Sequence, residues 1–523
     1  MASGWAFPNS SSRRNQRSGW AVVVLLLASP ALAGAAEPQP IQGIGLVEAI
    51  RLMLEQDPNL AIEQARLRSA RGILLSAEGA FDPVLSTSLE QTDTDTPLTE
   101  ISNRERRVLD NSVGLTKRFR TGFSIEPQLD LLRTTDDNAD PVNVGTFSFT
   151  LRQPLLRGRG RSVTAAPELS AERQVAAGTL DLRHTTAERA FAVASQYWQT
   201  RAALLNLEVL RESEERAREL LETTRKLIDA DVTPAADLVQ VEANVVAKET
   251  TRIGGERDLF AAHQALGREI GLPPEQIAAL PFPADPFPAL AASHLPAAGQ
   301  SARWAALALA RRADLGAARE RRSAAEILRR AADNSLQPQV DLLFTPSYSG
   351  LVEGAGTGTF FSPLYRNVPG ASSTLSLSLS WPTLNSRARG DLAQVEAAVE
   401  QGRFLEDLLA RQIGADVAIA FDAVARGAQQ LERAAEAVRL FERAVENEEK
   451  KLRAGTSTLI DVISQRDRLT AARQSEVSAH LALALALVQL RFETGTLFPG
   501  EGDPQTAEPD RFTTLPFQSG DEP

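Results

Sequence analysis

Residues 144–158 read VGTFSFTLRQPLLRG, and this stretch changes character at Pro154. Before Pro154, apolar residues alternate with small polar ones, which predicts a β-strand with one apolar and one polar face. After Pro154 the alternation stops. Because proline has no amide hydrogen and interrupts regular structure, Pro154 marks a junction between a strand and a following helix.

Three more prolines mark the same kind of junction. Pro83, Pro338 and Pro382 each stand between a helical pattern and an alternating one. Together with Pro154 they bracket two β segments, at residues 82–153 and 337–381. Each half of the chain is therefore predicted to run from a helix through strands into a long helical hairpin.

The rest of the chain is dominated by long helical patterns. From Phe421 onwards apolar residues recur at steps of three and four, which is a heptad seam. The helical pattern at 162–230 has a proline only near its start, and as one helix it would be about 100 Å long. Helices of this length pack as a rod or tube. The pattern predicts two hairpins, at 162–270 and 385–494.

The two hairpins are copies of one unit. Sliding the chain on itself by 224 residues aligns Lys226 with Lys450, Asp237 with Asp461 and Gly271 with Gly495. In each copy a long helix, a short polar turn and a second helix follow in order, and the second helix stops at glycine, a C-cap signal. This order favours an internal duplication.

The chain termini and the middle have different compositions. Three arginines followed by a short apolar run predict an export signal over 1–36, with cleavage after Ala33 or Ala36. A Pro/Ala-rich stretch predicts a linker, and a polar, acidic C-terminus predicts disorder. The predicted organisation is a signal peptide at 1–36, a first repeat at 37–271, a linker at 272–299, a second repeat at 300–497 and a disordered tail at 498–523.

The composition excludes several functions. A net charge of −11 argues against a nucleic-acid partner, and the absence of cysteine excludes disulfides and thiolate metal sites. The four histidines are scattered, without partners at metal-ligand spacing: His184, His263, His294 and His480. We therefore predict no enzyme activity, no metal and no cofactor.

The β segments need partners. Two or three strands per half cannot close a barrel, and an open sheet edge in lipid leaves costly unpaired backbone groups. Several chains that each contribute strands to one shared barrel would solve this problem. Between Pro83 and Pro154 there is room for one additional hairpin, at 112–119 and 123–132, which either enlarges the sheet or forms an outer loop.

This layout resembles the TolC-like family of outer-membrane efflux and secretion channels, over residues 44–497. The order of several short motifs along the chain supports the resemblance. These motifs are IGLVEAIRLMLEQDPN (44–59), GAFDP (79–83), QPLLRG (153–158), RADL (312–315) and GTSTLIDV (455–462).

The resemblance implies a mainly α-helical protein with strands that forms a homotrimer. The strands would build a shared transmembrane β-barrel in outer-membrane lipid, and the helical hairpins an α-helical barrel in the periplasm. The channel would be a passive exit duct for an inner-membrane pump or secretion transporter, joined to it by a periplasmic adaptor. The alternative from the residues alone is a periplasmic coiled-coil scaffolding protein, which would not need apolar strand faces.

The turns at the hairpin ends are the predicted site. We name residues 231–237 the first tip and residues 455–461 the second tip. By resemblance, both tips would dock the adaptor and surround the periplasmic entrance. The predicted docking residues are Asp231, Val232, Thr233, Pro234, Gly455, Thr456, Ser457 and Thr458.

Two tip aspartates are candidates for an entrance constriction. In related channels acidic rings often narrow the entrance; Asp461 falls on one such position, and Asp237 is its counterpart. Alternatively, Asp461 caps the start of its own helix, where an acid is favourable. The chain also departs from the family pattern. Leu452 replaces an aromatic, Ser464 replaces an acid one turn after Asp461, and Asp231 replaces a glycine.

Overall fold

The computed structural model describes residues 43–99, 102–137, 139–229, 234–290, 301–365, 370–498 and 512–515. The predicted signal peptide lies outside the described residues. The helices are α1 (Leu46–Gln56), α2 (Pro58–Glu78), α3 (Arg161–Thr164), α4 (Ala166–Asp229), α5 (Ala236–Ile270), α6 (Pro274–Ile277), α7 (Ser301–Arg311), α8 (Ala313–Asn334), α9 (Thr357–Phe361), α10 (Ser386–Arg453) and α11 (Leu459–Glu493). The strands are β1 (Val84–Thr99), β2 (Ser102–Arg118), β3 (Ser124–Asp136), β4 (Ala139–Pro154), β5 (Gln339–Glu353) and β6 (Ala371–Ser380).

The strands form one antiparallel sheet in the order β1-β2-β3-β4-β5-β6. The first half of the chain supplies four strands and the second half two. The additional hairpin that the sequence left open is therefore part of the sheet, as the end of β2 and the start of β3. These strands turn at 119–123, where Gly122 has a φ of 92° that favours glycine.

Two helical hairpins form the rest of the fold. α4 (64 residues) packs on α5, and α10 (68 residues) packs on α11, so each hairpin is about 100 Å long. α11 also packs along α4 and joins the two hairpins side by side. The core is built mainly from small and aliphatic side chains around a fully buried pair, Tyr197 and Trp198. Small side chains let such helices approach closely.

The duplication is visible at the end of each repeat. Gly271 directly follows the end of α5, and Gly495 lies two residues after the end of α11; both have a positive φ. A side chain at Gly271 would meet the backbone of Asp57, between α1 and α2, whereas one at Gly495 would meet the backbone of Arg311 and Arg312, where α7 gives way to α8. In both repeats, a glycine therefore packs against the break between two short helices.

The linker and the tail are partly packed. Ile277 and Leu280 of the linker are buried, and Pro283 bridges to Ile44. In the tail, Phe512 is fully buried against the core and Arg491 donates to the carbonyl of Leu515. The predicted disorder is wrong for residues 512–515, because their apolar side chains are buried in the helical core.

Candidate functional site

The sheet has two chemically different faces. On one face, which we call the apolar face, leucine and phenylalanine side chains line every strand. They include Leu85, Leu89, Val113, Leu115, Leu129, Phe147, Phe149, Leu151, Leu342, Phe344, Leu375, Leu377 and Leu379. Many of them are strongly exposed; Leu89 is 73% exposed and Leu379 71%. The opposite, polar face carries mainly Ser, Thr, Gln and Asp, so the sheet can separate lipid from water.

The apolar face is bounded at both ends. Near the helices it ends with the exposed aromatics Phe119 and Trp381. Towards the other end of the sheet, Asp93 and Arg107 on β1 and β2 form an ion pair of 2.6 Å on this face. Exposed aromatics beside an apolar band are typical of the interfacial belt of a membrane-spanning sheet.

The sheet has two open edges. Among the described residues, β1 pairs with β2 alone and β6 with β5 alone. Both edge strands are exposed and carry leucines on the apolar face. A sheet with unpaired edges is not stable in lipid, so these edges call for partner strands.

All four predicted junction prolines lie where helices and strands meet. β1 begins directly after Pro83, β4 ends at Pro154, β5 begins directly after Pro338, and Pro382 lies two residues after the end of β6. All four junctions therefore lie at the same end of the sheet. The long helices continue from that end.

The second tip is a tight, exposed turn. Gly455 has a φ of 72°, and the amide of Thr456 donates to the carbonyl of Lys451 (2.9 Å), which closes the end of α10. Ser457 donates to Oε1 of Glu448 (2.5 Å) and fixes the turn to α10. The sequence analysis did not identify Glu448, although its position one turn before Leu452 could have suggested it.

Asp461 forms a capping box at the start of α11. Its Oδ2 accepts from the Thr458 hydroxyl (2.6 Å) and the Thr458 amide (3.2 Å), while its own amide donates to the Thr458 hydroxyl (3.3 Å). Hydrogen bonds from Thr458 lower the pKa of the Asp461 carboxyl, so Asp461 is negatively charged. The local capping role considered for Asp461 is thus present in the fold.

The first tip is only partly described. Asp231, Val232 and Thr233 lie outside the described residues. Pro234 is exposed, and Asp237 lies in the first turn of α5, where no side chain caps the helix. The two aspartates that the repeat aligns therefore have different surroundings.

Contacts between the hairpins place both tips at the same end. Lys248 on α5 forms an ion pair with Asp467 on α11 (2.6 Å). Arg466 on α11 bridges Glu449 on α10 (2.5 Å) and the carbonyl of Arg216 on α4 (2.9 Å). These polar links lie only a few helical turns from the tips, and they hold the tips next to each other.

At the other end of the helices, the β2–β3 turn is fastened to the helical body. Arg120 pairs with Glu168 of α4 (2.7 Å), a carboxylate that is only 6% exposed, and its guanidinium lies over the ring of Phe81. The amide of Gly160 donates to the carbonyl of Thr121 (2.9 Å). The sequence analysis missed this cluster because its members lie far apart along the chain.

Comparison with known proteins gives one family match and several similar folds. Residues 304–496 match the family model described as "Outer membrane efflux protein". The chain is similar in structure to the outer membrane protein VceC of Vibrio cholerae, with a TM-score of 0.62, 16% identity and coverage of 86% of this chain and 96% of VceC. It is also similar to the CmeC outer-membrane channel of Campylobacter jejuni, with a TM-score of 0.62, 13% identity and coverage of 90% and 89%.

A third similar structure is the open state of the MtrE outer-membrane channel of Neisseria gonorrhoeae, with a TM-score of 0.60, 16% identity and coverage of 88% and 93%. No curated protein sequence matches the chain. At these sequence identities the similar structures establish the fold. The family model covers residues 304–496.

The fold is therefore that of outer-membrane channels. Residues 304–496 match the outer membrane efflux protein model, and most of the chain has the fold of the outer-membrane channels VceC and CmeC. The predicted resemblance and the fold class are confirmed, and the predicted outer-membrane location agrees with that of the similar channels. The prediction that the chain is not an enzyme agrees with this family of conduits.

None of the described helices is both long and apolar enough to cross a membrane. Among the same residues, no cluster of histidine and acidic side chains could hold a metal ion.

Proposed function

We propose that the chain is the outer-membrane exit duct of a tripartite efflux or type I secretion system and works as a homotrimer. The observation that carries this proposal is the direct continuation of a two-faced, open-edged sheet into helical hairpins about 100 Å long. Such a protomer has a wall for lipid and a wall for the periplasm. The sheet and the helices are explained together by a channel that crosses both the outer membrane and the periplasm.

The strand directions support closure with identical copies. β1 runs away from the helices and β6 runs back towards them, because six antiparallel strands alternate in direction. β6 of one protomer can therefore pair antiparallel with β1 of the next, and rotational symmetry closes the ring. The exposed leucines and phenylalanines of the apolar face then meet lipid, and the polar face lines the lumen.

We propose that the two tips dock a periplasmic adaptor, which links the duct to an inner-membrane pump or transporter. Their exposure supports this role: Pro234, Gly455, Thr456 and Thr458 are all exposed at one end of the hairpins. Turn backbone and hydroxyl groups suit end-to-end contact with another protein. The scaffolding alternative is weaker, because a soluble rod would not expose leucine and phenylalanine side chains on β1, β2, β4, β5 and β6.

We also propose Asp237 and Asp461 as acidic rings of the entrance, each repeated three times around the axis. Such rings favour cations, as charged rings do in other pores. Asp461 can serve as a ring and a cap together, because capping keeps its carboxylate charged and it remains exposed.

The conduit proposal is tested in membranes and in planar bilayers. We expect the protein in the outer-membrane fraction, as a trimer that dissociates on heating, and we expect it to conduct ions. Asp461→Asn should weaken cation preference, and Asp422→Asn, on an exposed stretch of α10, is a control for charge alone. A soluble monomer would refute the conduit, whereas unchanged selectivity would refute only the acidic ring.

The docking proposal is tested by cross-linking to the adaptor encoded with the chain. Thr456→Arg at the second tip should reduce cross-linking without affecting the trimer. Thr179→Arg is the matched control, because Thr179 is an exposed threonine of α4 about 50 residues before its tip end, or about 75 Å away. Equal cross-linking of both variants would rule out tip docking.

A further inference from the structure

The two repeats contribute unequally to the sheet. The second repeat supplies one pair of strands between its junction prolines, β5 and β6, whereas the first supplies β1 to β4 between Pro83 and Pro154. The helical hairpins remain equal in number. Whether the extra strands belong to the barrel wall decides how wide the outer opening is.

The chemical pattern continues through the extra strands. Along the register, Leu85 on β1 lies beside Leu115 on β2, and Val113 beside Leu129 on β3. Leu129 then lies beside Phe147 on β4. On the other face, Ser88 and Ser112 share a hydrogen bond of 2.7 Å. The apolar face and the polar face therefore cross all six strands without inversion, as a barrel wall requires.

The β2–β3 turn of the extra hairpin, at 119–123, is held in place by contacts with the helical body. Besides the Arg120–Glu168 pair, Lys117 donates to the carbonyl of Phe81 (2.5 Å), and Phe81 itself is buried. Gly122 lies so close to the backbone of Gly158 that a side chain could not fit between them. The hairpin is therefore attached to the start of α4, at the level where the other strands join the helices.

The first strand is also held at that level. β1 follows Phe81 and Pro83 directly, so the same buried ring that receives Arg120 anchors its start. A barrel closed at β3 would leave β1 and β2 outside the wall. Their apolar face would still be in lipid, but the edge of β1 would stay unpaired, which is costly there.

We infer that the edge of β1 is the surface that receives β6 of a second copy, and that the trimer closes an 18-stranded barrel from three six-stranded sheets. This inference rests on the proposed homotrimer. At a strand spacing of about 4.8 Å and a tilt of about 40°, 18 strands enclose a barrel about 36 Å across, against about 24 Å for 12 strands. The barrel is then an open outlet for bulky cargo, and the tips limit passage.

Disulfide trapping tests which strand closes the ring, because the chain has no cysteine of its own. Ser376→Cys on the polar face of β6 is combined with a scan of polar-face positions on β1 or on β3. The β1 scan is Ser86→Cys, Ser88→Cys and Glu90→Cys. The β3 scan is Glu126→Cys, Gln128→Cys and Asp130→Cys.

Two pairs within one protomer are controls for oxidation. Ser347→Cys with Ser372→Cys joins β5 to β6, and Ser88→Cys with Ser112→Cys joins β1 to β2; both native pairs have hydroxyl oxygens 2.7 Å apart. They should form disulfides without changing the protomer's mass. The readout is non-reducing electrophoresis of heated outer membranes.

We expect covalent dimers and trimers for at least one β6–β1 pair and only monomers for every β6–β3 pair. Cross-links from β6 to β3 would overturn the inference and indicate 12 strands. Cross-links to neither strand in an intact trimer would overturn it as well, because closure would not run through β6. Loss of the unheated trimer in the cysteine-free parent would instead refute the proposed function.

Discussion

The two repeats share their helices and differ in their strands. In each, a long hairpin ends at a glycine of positive φ that packs on a helix break. Yet the first repeat carries four strands and the second two. The helical part must match its neighbours along about 100 Å, whereas a hairpin can be added to a sheet without disturbing the others. Barrel width can thus change while the helical tube is conserved.

The repeats also differ in the charges that hold the helix breaks. In the first repeat the acid is at the break: Asp57 pairs with Arg189 of α4 (2.5 Å), which also holds Glu269 (2.9 Å). In the second the base is at the break: Arg312 pairs with Asp314 (2.7 Å) and Glu493. Both helix breaks are therefore held by ion pairs, but the acid lies at the first break and the base at the second.

The largest expected effect comes from the turn that exists only in the first repeat. Gly122→Ala places a Cβ about where the Gly158 carbonyl lies and also strains a φ of 92°. We expect almost complete loss of the trimer from outer membranes, measured by unheated electrophoresis. Gly158→Ala is the control: its φ is also positive, but the space is open, so it should cost only about 1–2 kcal/mol. Equal losses would show that the turn is not tightly seated.

The helix breaks should give the next largest effect. Arg312→Ala leaves Glu493 buried without its partner, and Arg189→Ala does the same to Asp57. Each should destabilise the protein by about 3–5 kcal/mol, measured by denaturant-induced loss of the trimer. Arg426→Ala removes an exposed pair with Asp422 and should have little effect. A marked difference in destabilisation between Arg312→Ala and Arg189→Ala would contradict the equivalence of the two breaks.

A smaller, local effect is expected at the second tip. Thr458→Ala removes the N-cap hydroxyl of α11 and should lower the local stability of its first turn by about 1 kcal/mol, measured by amide hydrogen exchange. Thr458→Ser retains the hydroxyl and should retain the protection. The start of α5 at the first tip, which has no side-chain cap, should exchange faster than α11 in the unaltered protein. Slower amide exchange at the start of α5 than at the start of α11 would contradict this difference between the two tips.

The smallest expected effect is a pH dependence from the second repeat. Burial lowers the pKa of His480, which stacks on Phe287, below its ordinary value of 6.5. The unfolded chain therefore binds a proton at this site more readily, so stability should fall slightly as the pH drops below about 6.5. His480→Gln should flatten this part of the thermal-melting profile against pH. An unchanged slope would exclude His480 as its source.

The sequence predicted the features that have local signals. Junction prolines, heptad seams and the glycines at 271 and 495 follow from the chemistry of single residues, so helices and strands could be placed from them. The second tip could also be located, because a glycine and an N-cap threonine stand together at Gly455 and Thr458.

Other features depend on contacts between distant residues. The seat of the β2–β3 turn joins Arg120 to Glu168 and Phe81, and no local pattern links them. For the same reason the sequence could not decide whether the extra hairpin joins the sheet. The tail composition suggested disorder, but burial of Phe512 against the helical core depends on the folded body being present.

Electron cryo-microscopy of the detergent-extracted protein tests the central claim most directly. We predict a three-fold particle in which 18 strands, six from each protomer, continue into a tube of twelve long helices, four from each protomer. A three-fold particle with 12 barrel strands would contradict the wide outlet. A particle without three-fold symmetry, or a monomer, would contradict the exit duct itself.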